Sequence, residues 1–77
     1  MTTTIDSVTP GIALSAAEAT RLKGKIAALV EGMMPAFNAG PLVITGFKDD
    51  RNQARTINVQ VTSIIGQTIH VVVNNMV

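Results

Sequence analysis

From Leu22 onward the apolar residues recur at three- and four-residue spacing: Leu22, Ile26, Leu29, Met33 and Phe37, with Val30 alongside. That is the stripe of an amphipathic helix turning one side to a core. Its start is written by Ser15 and, three residues on, Glu18. In such a capping box the Ser15 oxygen accepts from the Glu18 amide, and Glu18 reaches back to the Ser15 amide. The spacing predicts a helix over about 16–34. Pro35 lacks a donor and disfavours helical geometry at Met34, so the helix stops near Met34 or kinks there.

From Pro41 the period changes to two. Leu42–Phe47 reads as a strand and Arg55–Ser63 as another. In the second, Ile57, Val59 and Val61 alternate with Thr56, Asn58, Gln60 and Thr62; Ile69–Val73 makes a third strand. Lys48–Gln53 is a polar connection with turn-forming Asp49, Asp50 and Asn52. Parity constrains the last hairpin. A two-residue turn at Gly66-Gln67 would put Val59 and Val61 on the opposite face from Ile69, Val71 and Val73. A three-residue loop, Ile64-Ile65-Gly66, pairs Val61 with Ile69, Val59 with Val71 and Ile57 with Val73, with Gly66 left-handed. That register keeps all six toward the helix and sets Gln60 opposite His70 on the outer face, so it is preferred. The facing of the first strand stays open, because Leu42 and Ile44 compete with Val43 and Phe47 for the core.

Residues 1–13 have no helical period. Thr2–Val8 has β propensity and reads equally as an edge strand or a loosely held tail. The expected fold is therefore α+β: one amphipathic helix packed on a three-stranded antiparallel β-meander, with an extra N-terminal edge strand or an extended arm. Residues 1–13 are the arm and 14–77 a single domain.

Composition adds a question of stability. At 77 residues the chain buries a small share of its surface, and domains this short commonly lean on disulfides, metals or oligomerisation. It has no cysteine and one histidine, which leaves oligomerisation. Charged residues are 14% of the chain, below the roughly 25% usual in soluble domains, which suggests a partly covered surface. A formal net charge of +1 makes no case for nucleic acid or anionic membrane. The N-terminus has no signal-peptide pattern, and no apolar run reaches the ~20 residues of a membrane span. A virion or the cytoplasm is the expected setting.

Candidate chemistry is sparse. Histidine is the side-chain type suited to proton transfer near neutrality, but the chain's one histidine, His70, has no evident nucleophile or orienting carboxylate beside it, so it reads as a polar face or interface residue. Asp49-Asp50-Arg51-Asn52 lacks the spacing of a calcium loop and reads as a solvated hairpin connection. Arg21 and Lys25, four apart on the helix, read as a solvated face rather than a phosphate contact. No glycine pattern cradles phosphate. The run from Ile12 through Ser15 to Ala19, with Arg21-Leu22-Lys23, resembles the opening of A-type iron–sulfur carrier proteins. The cysteines that define that family are missing, so nothing is carried over. The strand–helix–strand–strand outline is similar to dodecin-type flavin proteins, in topology alone, since no tryptophan is present to sandwich a flavin. Neither a catalytic group, a metal ligand nor a cofactor is expected.

The helix side away from the stripe carries Ala17, Gly24, Ala28 and Pro35, with Gly32 beside them. Glycine in a helix interior costs up to ~1 kcal/mol relative to alanine, a cost that close approach of a neighbouring backbone would offset. These residues and His70 are the interface candidates. The expected function is a non-enzymatic structural subunit that self-associates or docks on a larger assembly. The best specific guess is a small phage or viral virion protein, a capsid-decorating or connector component. The alternative is a small-ligand-binding homo-oligomer with an inter-subunit pocket to which His70 or Arg55 contributes.

Overall fold

A computed structural model of the chain describes residues 1–34 and 36–77. Five elements follow one another: β1 Thr2–Val8, α1 Ala16–Met33, β2 Gly40–Lys48, β3 Ala54–Ile65 and β4 Thr68–Met76. The strands form one sheet in the order β1-β4-β3-β2, with α1 over its inner face. The helix and the β2-β3-β4 meander are where the periodicities place them. The sheet, however, has four strands rather than three and is mixed. β1 lies parallel to β4, pairing Thr3 with Ile69 and Ile5 with Val71. Thr2–Val8 thus takes the strand option. It occupies the edge of β4 that β3 leaves open, and its Thr3, Ile5 and Val8 lie on the inner face beside Ile69, Val71 and Val73.

Each strand pair contains a β-bulge, and β3–β4 contains two, at Thr62 and at Asn74; each brings more apolar side chains inward than strict alternation would. The expected pairing of the last hairpin is corrected here. β3 and β4 join through the two-residue turn Gly66-Gln67, pairing Ile65 with Thr68 and Ile64 with Ile69. Thr62 is then an extra residue, so Val61 pairs with Val71 and Val59 with Val73, not Val61 with Ile69 or Val59 with Val71. Gln60 lies opposite Val72, and His70 opposite Ser63. The expected facing survives the changed register: Ile57, Val59, Val61, Ile69, Val71 and Val73 are all buried. Parity excludes the two-residue turn only for a regular strand, and the bulge at Thr62 removes that constraint. Gly66 has a φ of 61°, the left-handed geometry expected of it, as the first residue of the shorter turn.

In β2 a further bulge settles the open facing. Ile44 pairs with Ile57 and Phe47 with Arg55, so Thr45 and Gly46 together span Thr56. Gly46, at φ 68°, takes the left-handed bulge position. Ile44 and Phe47 therefore both point inward, with Leu42 partly buried beside them, while Val43 faces out and is exposed. The fourth bulge falls at Asp6 of β1, between Ile5 and Ser7.

Deleting Thr62 is expected to remove that bulge while every other β3–β4 pair and facing, including the irregularity at Asn74, is kept. The deletion should cost less than about 1 kcal/mol in thermal unfolding. A variant that fails to fold would mean the bulge does more than correct parity.

The helix obeys its capping signal. The Glu18 amide donates to Ser15 Oγ (3.1 Å) and the Ser15 amide to Glu18 Oε1 (2.8 Å). Met34, which precedes a proline, is extended at φ −70° and ψ 152°, and the helix ends at Met33. The buried row is Glu18, Leu22, Ile26 and Val30. Leu29 and Met33 belong to the expected stripe, yet they are 39% and 38% exposed. A row at four-residue spacing drifts around the helix, and Val30, not Leu29, continues it over the sheet.

Candidate functional site

Two clusters of polar side chains hold the elements together, and each joins residues far apart in sequence. The first ties the β2–β3 connection to the start of α1. Glu18 Oε2 accepts from the Asp50 amide at 3.0 Å while its Oε1 closes the capping box. Arg21 Nη2 donates to the Lys48 carbonyl (3.0 Å) and to Asp50 Oδ1 (3.2 Å), and its guanidinium lies 5.7 Å from the Phe47 ring centre. Asp49 organises the turn itself. Its Oδ1 accepts from the amides of Arg51 and Gln53, both at 2.9 Å, and its Oδ2 receives Arg55 Nη1 at 3.2 Å. Asp49 is buried, so this connection is a packed turn at its first residue rather than a solvated loop.

These carboxylates titrate accordingly. Glu18 is held below its ordinary value of 4.5, first by the Ser15 amide and then by that of Asp50. Asp49 is held below 3.8, first by the Gln53 amide, with Arg51 and Arg55 adding to it. In both, the folded state favours the charged form, so the unfolded chain takes up protons first as pH falls. Stability is expected to hold from neutrality to roughly pH 4.5 and then to decline as these carboxylates protonate. Glu18→Gln should flatten that decline in denaturation midpoints measured from neutrality into acid. An unchanged slope would mean Glu18 contributes nothing to it.

The second cluster lies on the outer face. His70 Nδ1 is 3.2 Å from Asp6 Oδ2, and both residues are partly exposed. This corrects the expectation that no orienting carboxylate stands near His70. Asp6 is 64 residues away; it arrives through the parallel β1–β4 pairing, which no local pattern in the sequence encodes. Ser63 is the cross-strand neighbour of His70 and Thr4 its partner on β1. Arg55, offered as a ligand contact, is engaged by Asp49.

Of the interface candidates, Ala17, Gly24, Ala28 and Gly32 are all exposed on α1. Pro35 lies outside the described residues. His70 is on the sheet face turned away from α1, so it cannot share one flat surface with the helical residues. A side chain added at Gly24 or Gly32 would meet no atom within 4 Å. Nothing among the described residues therefore requires these two glycines. Beside Ala28 and Gly32 stand the exposed Leu29, Met33 and Met34, which make the end of α1 an apolar surface. The sequence stripe hid this, because it assigned Leu29 and Met33 to the core. No described helix is long and apolar enough to cross a membrane.

None of the protein-family models, curated proteins or solved structures compared with the chain matches it.

Proposed function

We propose that this chain is a non-enzymatic structural subunit that self-associates through the C-terminal half of α1. The observation that carries this reading is the apolar end of the helix, where Leu29, Met33 and Met34 are 39%, 38% and 44% exposed next to Ala28 and Gly32. The surface has both parts of a contact. Leucine and methionine are knobs, and the small residues beside them leave room for knobs from another helix. Charge favours an antiparallel pair of α1 helices. The last turn carries no basic residue of its own, while Arg21, Lys23 and Lys25 lie in the first half. A two-fold axis through the surface would bring those cations toward the negative end of the partner helix.

The setting the composition favours is a shell, in which the chain decorates a capsid or joins a connector. Its support is the low charge and the presence of only two aromatic residues. The test is molar mass by light scattering on the purified chain. The expected result is a dimer or larger species that Ala28→Leu disrupts by overpacking, at a cost of roughly 1–3 kcal/mol, and that Met33→Glu abolishes. A wild-type chain that remains monomeric over the accessible concentration range would overturn the proposal.

A further inference from the structure

All five side-chain carboxylates of the chain are engaged: Asp6 by His70, Glu18 by two backbone amides, Glu31 by the α-amino group, Asp49 by Arg55 and Asp50 by Arg21. The cations are not balanced in the same way. Among the described residues four cations meet no carboxylate, Lys23, Arg51, Lys25 and Lys48, and the last two lie on α1 and at the end of β2. Those two converge with Arg21 on one open recess of about 230 Å³, whose remaining lining is Phe47 and Gly46. Arg21 makes its contacts to Lys48 and Asp50 through Nη2, and its Nη1 and Nε donate to no protein group among the described residues. Three of the chain's six cationic side chains thus border one recess. Gly46 is left-handed, and a Cβ there would stand in open space with nothing within 4 Å.

We infer that this recess binds a small oxyanion of the phosphate class. Two lysines and a partly free guanidinium line it from two elements, α1 and β2, and these are the side chains that offer charge-assisted donors to an oxyanion. The volume lies below the ~300–1,000 Å³ of clefts that hold drug-sized ligands, which limits the occupant to inorganic phosphate or the head of a phosphomonoester. Asp50 lies beside Arg21 and offsets part of its charge, so Lys25 and Lys48 carry the site. The recess is built from a single chain and does not depend on self-association.

The test is a titration of the isotopically labelled full chain with inorganic phosphate, and separately with phenyl phosphate, followed by amide chemical shifts at constant ionic strength. Shifts at Lys25, Gly46, Phe47 and Lys48 are expected to saturate, and chloride should not reproduce them. Tighter binding of phenyl phosphate would identify a phosphomonoester; equal binding would identify free phosphate. The double variant Lys25→Gln, Lys48→Gln should weaken binding at least about tenfold, the scale of one charged hydrogen bond, with the spectrum otherwise retained. Lys23→Gln, outside the recess, should leave binding unchanged. Shifts that rise without saturating, or an equal loss in Lys23→Gln, would overturn the assignment.

Discussion

Ile26→Ala is expected to destabilise the domain by about 2–5 kcal/mol, and Leu29→Ala by less than about 1 kcal/mol. Both residues lie on the apolar stripe read from the sequence, and both substitutions remove large aliphatic groups. What separates them is packing. Ile26 has no exposed surface and sits in the middle of the row Leu22, Ile26, Val30 that α1 lays on the sheet. Truncating it loses the transfer free energy of the missing carbons and leaves a cavity that rigid strands cannot collapse to fill. Leu29 is 39% exposed and already borders solvent, so truncation opens no closed void. Urea denaturation, with protein dilute enough to be monomeric, measures both. Equal losses in the two variants would mean that Leu29 is covered within the chain and that the apolar end of α1 is not a free surface. In that event the proposed self-association would lose its contact.

How far the sequence could be read depends on the range of the signal. The helix was legible because its information is local: Ser15 and Glu18 are three residues apart, and the apolar spacing runs uninterrupted to Val30. Ile57, Val59 and Val61 marked a half-buried strand for the same reason. Bulges were not legible. Thr62, Asn74, Gly46 and Asp6 are each one position at which the alternation slips, and a slip looks like noise until the partner strand is known. The register of the last hairpin went wrong on that point, whereas its facing came out right, because burial of the valines constrains facing more strongly than pairing. The parallel docking of β1 on β4 was beyond reach, and with it the Asp6–His70 pair. The recess had the same difficulty: Lys25 stood out on its helix, but Lys48 joins it only through folding of β2 against α1. Length and composition pointed to self-association and the small residues Ala17, Gly24, Ala28 and Gly32 to a helix face for it, but the apolar part of that surface was hidden while Leu29 and Met33 were assigned to the core.

Val71→Asp is expected to unfold most of the protein at neutral pH, while Val72→Asp, one residue along, should cost no more than about 1 kcal/mol. β4 is an interior strand, flanked by β1 and β3. Val71 pairs with Ile5 on one side and Val61 on the other, beneath α1, and has no exposed surface. A carboxylate there would be buried without a cation or donor, and an uncompensated buried charge costs about 3–5 kcal/mol. For a chain of this length that is comparable with the whole folding free energy, given roughly 0.05–0.15 kcal/mol per residue. Val72 points to the outer face between Ser7 and Gln60 and is only partly covered, so its carboxylate would keep its hydration. The pH dependence adds a signature. Burial raises the pKa of the new carboxyl in the folded state above its unfolded value, so the penalty is greatest at neutral pH and is relieved as pH falls through the folded value. That trend is opposite to the acid destabilisation expected of the wild type through Glu18 and Asp49. Circular dichroism at neutral and mildly acidic pH would record both effects. Equal tolerance of aspartate at the two positions would mean that β4 does not present Val71 to the core, and the inward facing of all four strands would fall with it.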